Sequence, residues 1–366
     1  MTLARAGWRR HAPGVSVDAD LPPDLALAAE LRARASAEGF AKVGFARAEA
    51  LGEEAVHLRE FLAAGRHGSM DWLARTEQVR ADPRHEGMVP EARSVIVLAS
   101  AYARSAEEVG PSPGRVARYA RGRDYHNVLE RPLRRLERWL QERGYATRHS
   151  IDSRPVFERA WAARAGVGFV GKNACLIVPG VGSHVFLSTL VTAAPLPADE
   201  PMAERCGACR ACLDACPTQA FVAPRVLDAR RCVSYLTIEH AGSIDEDLRA
   251  GVGPWFLGCD ACQDVCPYNR GRLPEADATS PYRADERWQN LSAADVLSMD
   301  DAAYLAFSEG SPARRLGRER AARNAALNLG NSGDKRHLPV LREASADPSP
   351  VVREAVAWAM ARLEGQ

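Results

Sequence analysis

Eight of the chain's nine cysteines fall between residues 206 and 266, and their spacing is that of thiolates wrapped round iron–sulfur cubes. The first run, CGACRACLDACP, sets Cys206, Cys209, Cys212 and Cys216 in the ferredoxin rhythm ahead of Pro217. In such loops three thiolates hold one [4Fe–4S] cluster, and the cysteine before proline ligates another. The second run, CDACQDVCP, supplies Cys259, Cys262 and Cys266 but lacks its first cysteine, which Cys232 can provide from upstream. The expected sets are therefore Cys206, Cys209, Cys212 and Cys266 for cluster one, and Cys216, Cys232, Cys259 and Cys262 for cluster two. Zinc ribbons close one tetrahedral site with four ligands, whereas eight thiolates with two Cys-Pro endings fit a cluster pair. Disulfides fit worse, because no secretory apolar region precedes the chain and cysteines this close in a tight loop are badly placed for a bridge. Cys175, in NACLIV, reads as a small buried hydrophobe with no ligand role.

These ligands need elements to carry them. With 366 residues and 46% hydrophobic composition, the chain can bury more than one core and suggests two or three domains. Residues 1–21 read as a loose tail. Residues 22–197 alternate helical and strand patterns and read as one α/β (α+β) domain. Its helices are LALAAELRARASAEGF, Glu53 to Ala64, a long helix after RGRDYH, and PVFERAWAARAG; its strands are KVGFARA, SVIVLASAYA, ATRHSID and FLSTLVTA. Residues 198–275 form a ferredoxin-type two-cluster insert, too loop-rich to have much core without its metals. Residues 276–366 read as helical, and the last two helices resemble a HEAT-type repeat with proline-initiated helices and a turn at Asp347-Pro348.

A pair of clusters is an electron wire, and the first domain is expected to hold the acceptor. No GxGxxG follows a strand and no P-loop is present, so neither a nicotinamide nor an ATP site is indicated. The segments RGRDYH, IDSRPVFERAWAARAGVGFVGKN, CGACRACLDACPTQA, RCVSYLTIEH and GCDACQDVCPYNR, in this order, closely resemble the epoxyqueuosine reductases, cobalamin-dependent iron–sulfur enzymes that complete queuosine in tRNA. The resemblance runs from about residue 25 to the end. It implies a corrinoid between the first domain and the cluster domain, and a tRNA substrate bearing epoxyqueuosine at the wobble position. It further implies that electrons pass through the clusters to a nucleophilic low-valent cobalt, and that an acid protonates the opened epoxide. Asp152 matches that acid; a turn or helix-cap role is the alternative. Arg75, Glu158 and Arg159 match corrinoid-side positions, against ordinary surface charge. Ser234 follows Cys232 closely enough to lie near cluster two and the corrinoid, or its hydroxyl serves the cluster-loop backbone. Tyr125 and His126 invite a cofactor role, although a His beside a Tyr is more often structural. No DxHxxG is present, so no histidine is expected on the lower face of cobalt.

The net charge of +1 gives no global field for nucleic acid, and with 45 Arg against 3 Lys, arginine clusters are discounted. The best local signal is Arg314, Arg315, Arg318, Arg320 and Arg323 against Glu319 alone, which either binds tRNA phosphates or forms a solvated helix face. Two other readings compete: a corrinoid and iron–sulfur enzyme of the reductive dehalogenase kind, and a two-cluster electron-transfer protein. No stretch offers a transmembrane span, and the residues after Arg9-Arg10 are too polar for an export signal, so a cytoplasmic protein is expected. No heptad or apolar stripe argues for a dimer. A monomer served by a separate electron donor is the expectation.

Overall fold

The computed structural model describes residues 23–102, 114–270, 280–288 and 292–365; the expected tail at 1–21 lies outside them. Four strands form the main sheet in the order Lys42–Arg47, Ser94–Ala101, Val185–Thr192, Thr147–Ser150, and every pairing is antiparallel. The architecture is α+β. The long apolar run at Ser94–Ala101 arises because helices cover both faces of the sheet. Ile96 and Leu98 pack on one side with Leu31, Leu133, Leu136 and Leu140, from helices Leu25–Ala37 and Tyr125–Gln141. Val95, Val97 and Ala99 pack on the other with Trp161 and Ala162, from helix Glu158–Arg164. That helix approaches the sheet closely at Gly44, where a Cβ would stand 2.0 Å from the Ala165 carbonyl oxygen.

The cluster-bearing segment does not keep a core of its own. Val233, Leu236, Leu248, Trp255, Phe256 and Leu257 share one apolar cluster with Leu327, Leu341, Val352 and Val356 of the C-terminal helices. A boundary near residue 275 therefore cuts through a continuous core. The helical end contains Gly317–Asn331, Leu338–Ala344 and Pro350–Glu364, the last two opened by proline as expected.

The two halves lock at Gly68. The Ser69 amide donates to the Tyr235 hydroxyl at 2.7 Å, and the Ala229 amide donates to the Arg66 carbonyl at 2.9 Å. Gly68 has φ +59°, and a Cβ there would meet the Tyr235 oxygen at 2.2 Å, so only glycine fits. Tyr235 lies on helix Val233–Ile238, which begins immediately after Cys232.

Candidate functional site

The two cysteine runs fold alike. Each wraps into a short helix, Ala211–Asp214 and Ala261–Asp264, followed by a turn that delivers the cysteine before proline. The thiols fall near one another in two groups. Cys212 lies in the field of Cys206 and Cys266, and Cys266 in that of Cys209. Cys259 feels Cys232 and Cys216, and Cys262 feels Cys259 and Cys232. Burial pushes the Cys259 thiol up to about 12, so as a free thiol it stays protonated, and a cationic metal is what would make it a thiolate. Among the described residues no three His, Cys, Asp or Glu side chains close on a single-ion site.

Both loops are held from outside. The Asp260 carboxyl, pushed up to about 6 by burial, accepts the Arg118 amide at 2.7 Å, and the Arg118 guanidinium bonds Asp264 at 2.8 Å. Lys172 of the GFVGKN segment donates to the Cys209 carbonyl at 3.0 Å. The hairpin it belongs to, Phe169–Val170 with Leu176–Ile177, packs Phe169 and Ile177 against Cys266 and Cys206. Cys175, on that hairpin, is only half buried, and its thiol comes within hydrogen-bonding reach of Cys262 while influencing Cys232 and Cys266. The expectation of an inert apolar thiol is corrected: it sits beside both ligand sets.

Asp152 follows strand Thr147–Ser150 in a loop, with φ +52°, a left-handed conformation that Asp tolerates better than most residues. Its side chain is 63% exposed. The Tyr125 hydroxyl donates to Asp152 Oδ2 at 2.7 Å, and His126 Nε2 stands 3.8 Å from the same oxygen. Burial, reinforced by the Asp152 charge, raises the Tyr125 phenol far above its usual range, so the phenol remains a donor. Tyr125 and His126 open helix Tyr125–Gln141, capped by Asp124, whose carboxylate accepts both the His126 amide at 3.0 Å and the ring Nδ1 at 2.8 Å. Tyr125 and His126, for which the sequence leaves a cofactor or a structural role open, thus meet at Asp152, and their adjacency to a capping Asp fixes both rings on one helical turn.

Glu158, half buried at the start of helix Glu158–Arg164, is pushed up to about 7 by desolvation and by the nearby Asp152 charge. Two carboxyl groups thus stand close enough to repel each other. Arg80 lies in the field of both, donating to the Val156 carbonyl at 3.0 Å and stacking over Trp72 at 5.1 Å. Arg75, one turn from Trp72, is exposed, and the exposed Arg159 bonds the Ala174 carbonyl. Ser234 is half buried on the first turn after Cys232. Near the Cys175 hairpin, Asn173 is 5% exposed and its amide Nδ2 has no partner. A buried donor of this kind suits a ligand edged with carbonyl groups, as a corrinoid is.

The arginine row divides. Arg314 and Arg315 are exposed. Arg318 is bound to the Asp347 carboxylate and the Met299 carbonyl, and Arg320 to the Ile238, Leu316 and Arg315 carbonyls. Arg323 is 1% exposed, with its guanidinium on the carbonyls of Leu236, His240 and Gly242 and on Asn324. Arg323 is therefore corrected from a phosphate ligand to an internal staple, and Arg318 and Arg320 have most of their donors engaged within the protein. Their partners come from distant parts of the chain, out of sight of local charge counting.

Comparisons with known proteins agree with this layout. Residues 205–269 match the family described as 4Fe-4S double cluster binding domain, residues 80–153 that described as Epoxyqueuosine reductase QueG, DUF1730, and residues 314–366 HEAT repeats. The chain is 42% identical over 352 residues to the epoxyqueuosine reductase of Xanthomonas campestris pv. campestris, covering 93% of this chain and 97% of the relative. It is 37% identical over 332 residues to that of Escherichia coli, covering 88% and 86%. A crystal structure of epoxyqueuosine reductase with an epoxyqueuosine-modified tRNA-Tyr stem loop superposes with a TM-score of 0.84 at 31% identity, covering 92% of this chain and 90% of that one. The Bacillus subtilis enzyme, with its catalytic aspartate loop swung out of the active site, gives 0.83 at 31% identity over the same shares.

Proposed function

The chain belongs to the epoxyqueuosine reductase family and is an oxidoreductase of that class, and from that membership we propose how its residues perform the reaction. The substrate is tRNA carrying epoxyqueuosine at the wobble position, and the product is queuosine. Cys206, Cys209, Cys212 and Cys266 would hold one [4Fe–4S] cluster and Cys216, Cys232, Cys259 and Cys262 a second, and the pair would supply the electrons. Cobalamin, held between the sheet domain and the cluster segment, would supply the low-valent cobalt nucleophile for the epoxide. Asp152, Glu158, Arg159, Ser234 and Arg75 are the side chains that would face it, and the unpaired amide of Asn173 would meet the corrinoid edge.

Asp152 is the proton donor to the opened epoxide oxygen. The observation that carries this reading is the 2.7 Å bond from the Tyr125 hydroxyl to Asp152 Oδ2, which orients the carboxyl while leaving most of it exposed to the substrate side. Glu158, pushed up to about 7 by burial and by the nearby Asp152 charge, is a second carboxyl beside Asp152 that carries a proton near neutrality. Arg314 and Arg315, exposed and each engaged through one guanidinium nitrogen only, are the members of the arginine row placed to meet tRNA phosphates, and the wobble base must leave its stack to be reached. Among the described residues no helix is long and apolar enough to cross a membrane, in keeping with a cytoplasmic enzyme, and large exposed apolar side chains such as Leu25, Val56 and Leu305 are few, in keeping with a monomer.

The test is anaerobic conversion of epoxyqueuosine-containing tRNA by iron-reconstituted protein and a chemical reductant, with and without cobalamin. The expected result is loss of one oxygen from the digested nucleoside only when cobalamin is present. Conversion that is indifferent to cobalamin would remove the corrinoid from this reading.

A further inference from the structure

Reduction of an epoxide to an alkene consumes two electrons and two protons and releases one water. One proton goes to the oxygen freed when the first C–O bond breaks; the second accompanies that oxygen out as water when the other C–O bond breaks and the double bond forms. The electrons arrive through the clusters under the reaction already assigned. Asp152 carries one proton at a time, so each turnover requires it to be reloaded while the substrate is in place.

The group placed to reload it is His126. Its Nδ1 bonds Asp124 at 2.8 Å, and its Nε2 stands 3.8 Å from Asp152 Oδ2. The ring lies against Tyr125, centroids 4.0 Å apart, and its side chain is 16% exposed, enough to meet solvent at an edge. Burial pulls Asp124 up, but the His126 ring and backbone N–H bonds hold it below the usual carboxylate range, so it is an anion that accepts the Nδ1 hydrogen and fixes the ring. The arrangement has one obstacle. Arg315 Nη2 stands 2.8 Å from His126 Nε2. A guanidinium has donors only, so Nε2 must be accepting there and the ring proton must sit on Nδ1. While Arg315 holds that lone pair, His126 cannot carry a proton toward Asp152. Arg315 is exposed at its other side and belongs to the surface where tRNA phosphates are read above.

We propose that His126 is the positioning and proton-relay residue that reloads Asp152 with the second proton of each turnover, and that Arg315 blocks it until bound tRNA draws the guanidinium away. In the step itself the Nε2–H bond of the imidazolium breaks and an O–H bond forms on Asp152, solvent then reprotonating the ring. The relay rests on the epoxyqueuosine reading, but the Arg315 gate is testable without turnover.

Two measurements test it together. With 15N-labelled histidine, and His126→Gln to identify the signal, the free holoprotein should show His126 as the Nδ1–H tautomer. A saturating unmodified anticodon stem-loop should change that signal, and an unchanged signal on binding overturns the gate whether or not the enzyme turns over. In single-turnover conversion, His126→Gln should lower the rate by about 10²–10³ with stem-loop Kd within about threefold, as one lost contact of modest strength allows. Added imidazole should restore at least about tenfold of the loss in His126→Ala, since its diffusible protonated form replaces the missing proton donor. A wild-type rate in His126→Gln, or no rescue of a folded, cluster-loaded His126→Ala, overturns the relay. Failure of wild type to convert any substrate strikes the functional reading instead.

Discussion

Replacing Arg323 by leucine separates the two roles open to the arginine row. The guanidinium is buried and donates to the carbonyls of Leu236, His240 and Gly242 at 2.6–2.8 Å. Burial lowers its pKa to about 10, so it remains charged at neutral pH. Its partners lie at and just beyond the end of helix Val233–Ile238, where carbonyls lack helical partners and a cation is favoured. Leucine would strand three carbonyls at about 1–3 kcal/mol each, less what their second lone pairs recover, giving a loss of roughly 3–5 kcal/mol. At a few degrees per kcal/mol, apparent Tm should fall by roughly 5–15 °C. Because the helix begins after Cys232, cluster absorbance should bleach early in the transition. The assay is anaerobic thermal unfolding followed by circular dichroism and visible absorbance at one scan rate, beside Arg314→Ala. Arg314→Ala should leave Tm within about 1 °C, as exposed sites usually do, and reduce the salt slope of stem-loop binding by about one. An Arg323→Leu protein with unchanged Tm and a reduced salt slope would refute the staple.

Cys232→Ser should lower iron from about eight to about four per chain after reconstitution, whereas Cys175→Ala should keep about eight, since eight thiolates already satisfy two cubes; iron analysis decides. Gly68→Ala should loosen the lock on Tyr235, because its Cβ would meet the hydroxyl at 2.2 Å in a left-handed backbone conformation, and limited proteolysis near residue 68 should accelerate. Glu158 binds protons more tightly folded than unfolded, with a folded value of about 7 against an ordinary 4.5. Its contribution is therefore fully present below about pH 4.5 and is lost as pH rises through 7. Glu158→Gln, which stays neutral, should gain stability relative to wild type between pH 5 and pH 8, and parallel urea midpoints across that range contradict the burial argument.

The cysteine sets were legible because ligand spacing is a local property of two short loops. Helix and strand positions were also legible: the expected strand FLSTLVTA lies within Val185–Thr192 extended by one residue, and the C-terminal prolines start their helices. Strand order was not, since a run buried on both faces reads alike in parallel and antiparallel sheets. Nor was the shared core of the cluster segment and helical tail, which depends on contacts between residues such as Phe256 and Leu327. At the site, Asp152 came from resemblance, but its neighbours did not. Tyr125 is 27 positions away and Arg315 lies beyond a whole domain, so their convergence exists only in the folded chain.

The most direct measurement compares wild type with Asp152→Asn in single-turnover reduction of epoxyqueuosine stem-loop, at matched iron, matched cobalamin and matched stem-loop occupancy. Asparagine keeps the shape and can still accept the Tyr125 hydroxyl bond, but has no acidic proton to give. The account predicts wild-type conversion with loss of one oxygen and a fall of at least about 10² in the variant. Equal rates in the two proteins would contradict it.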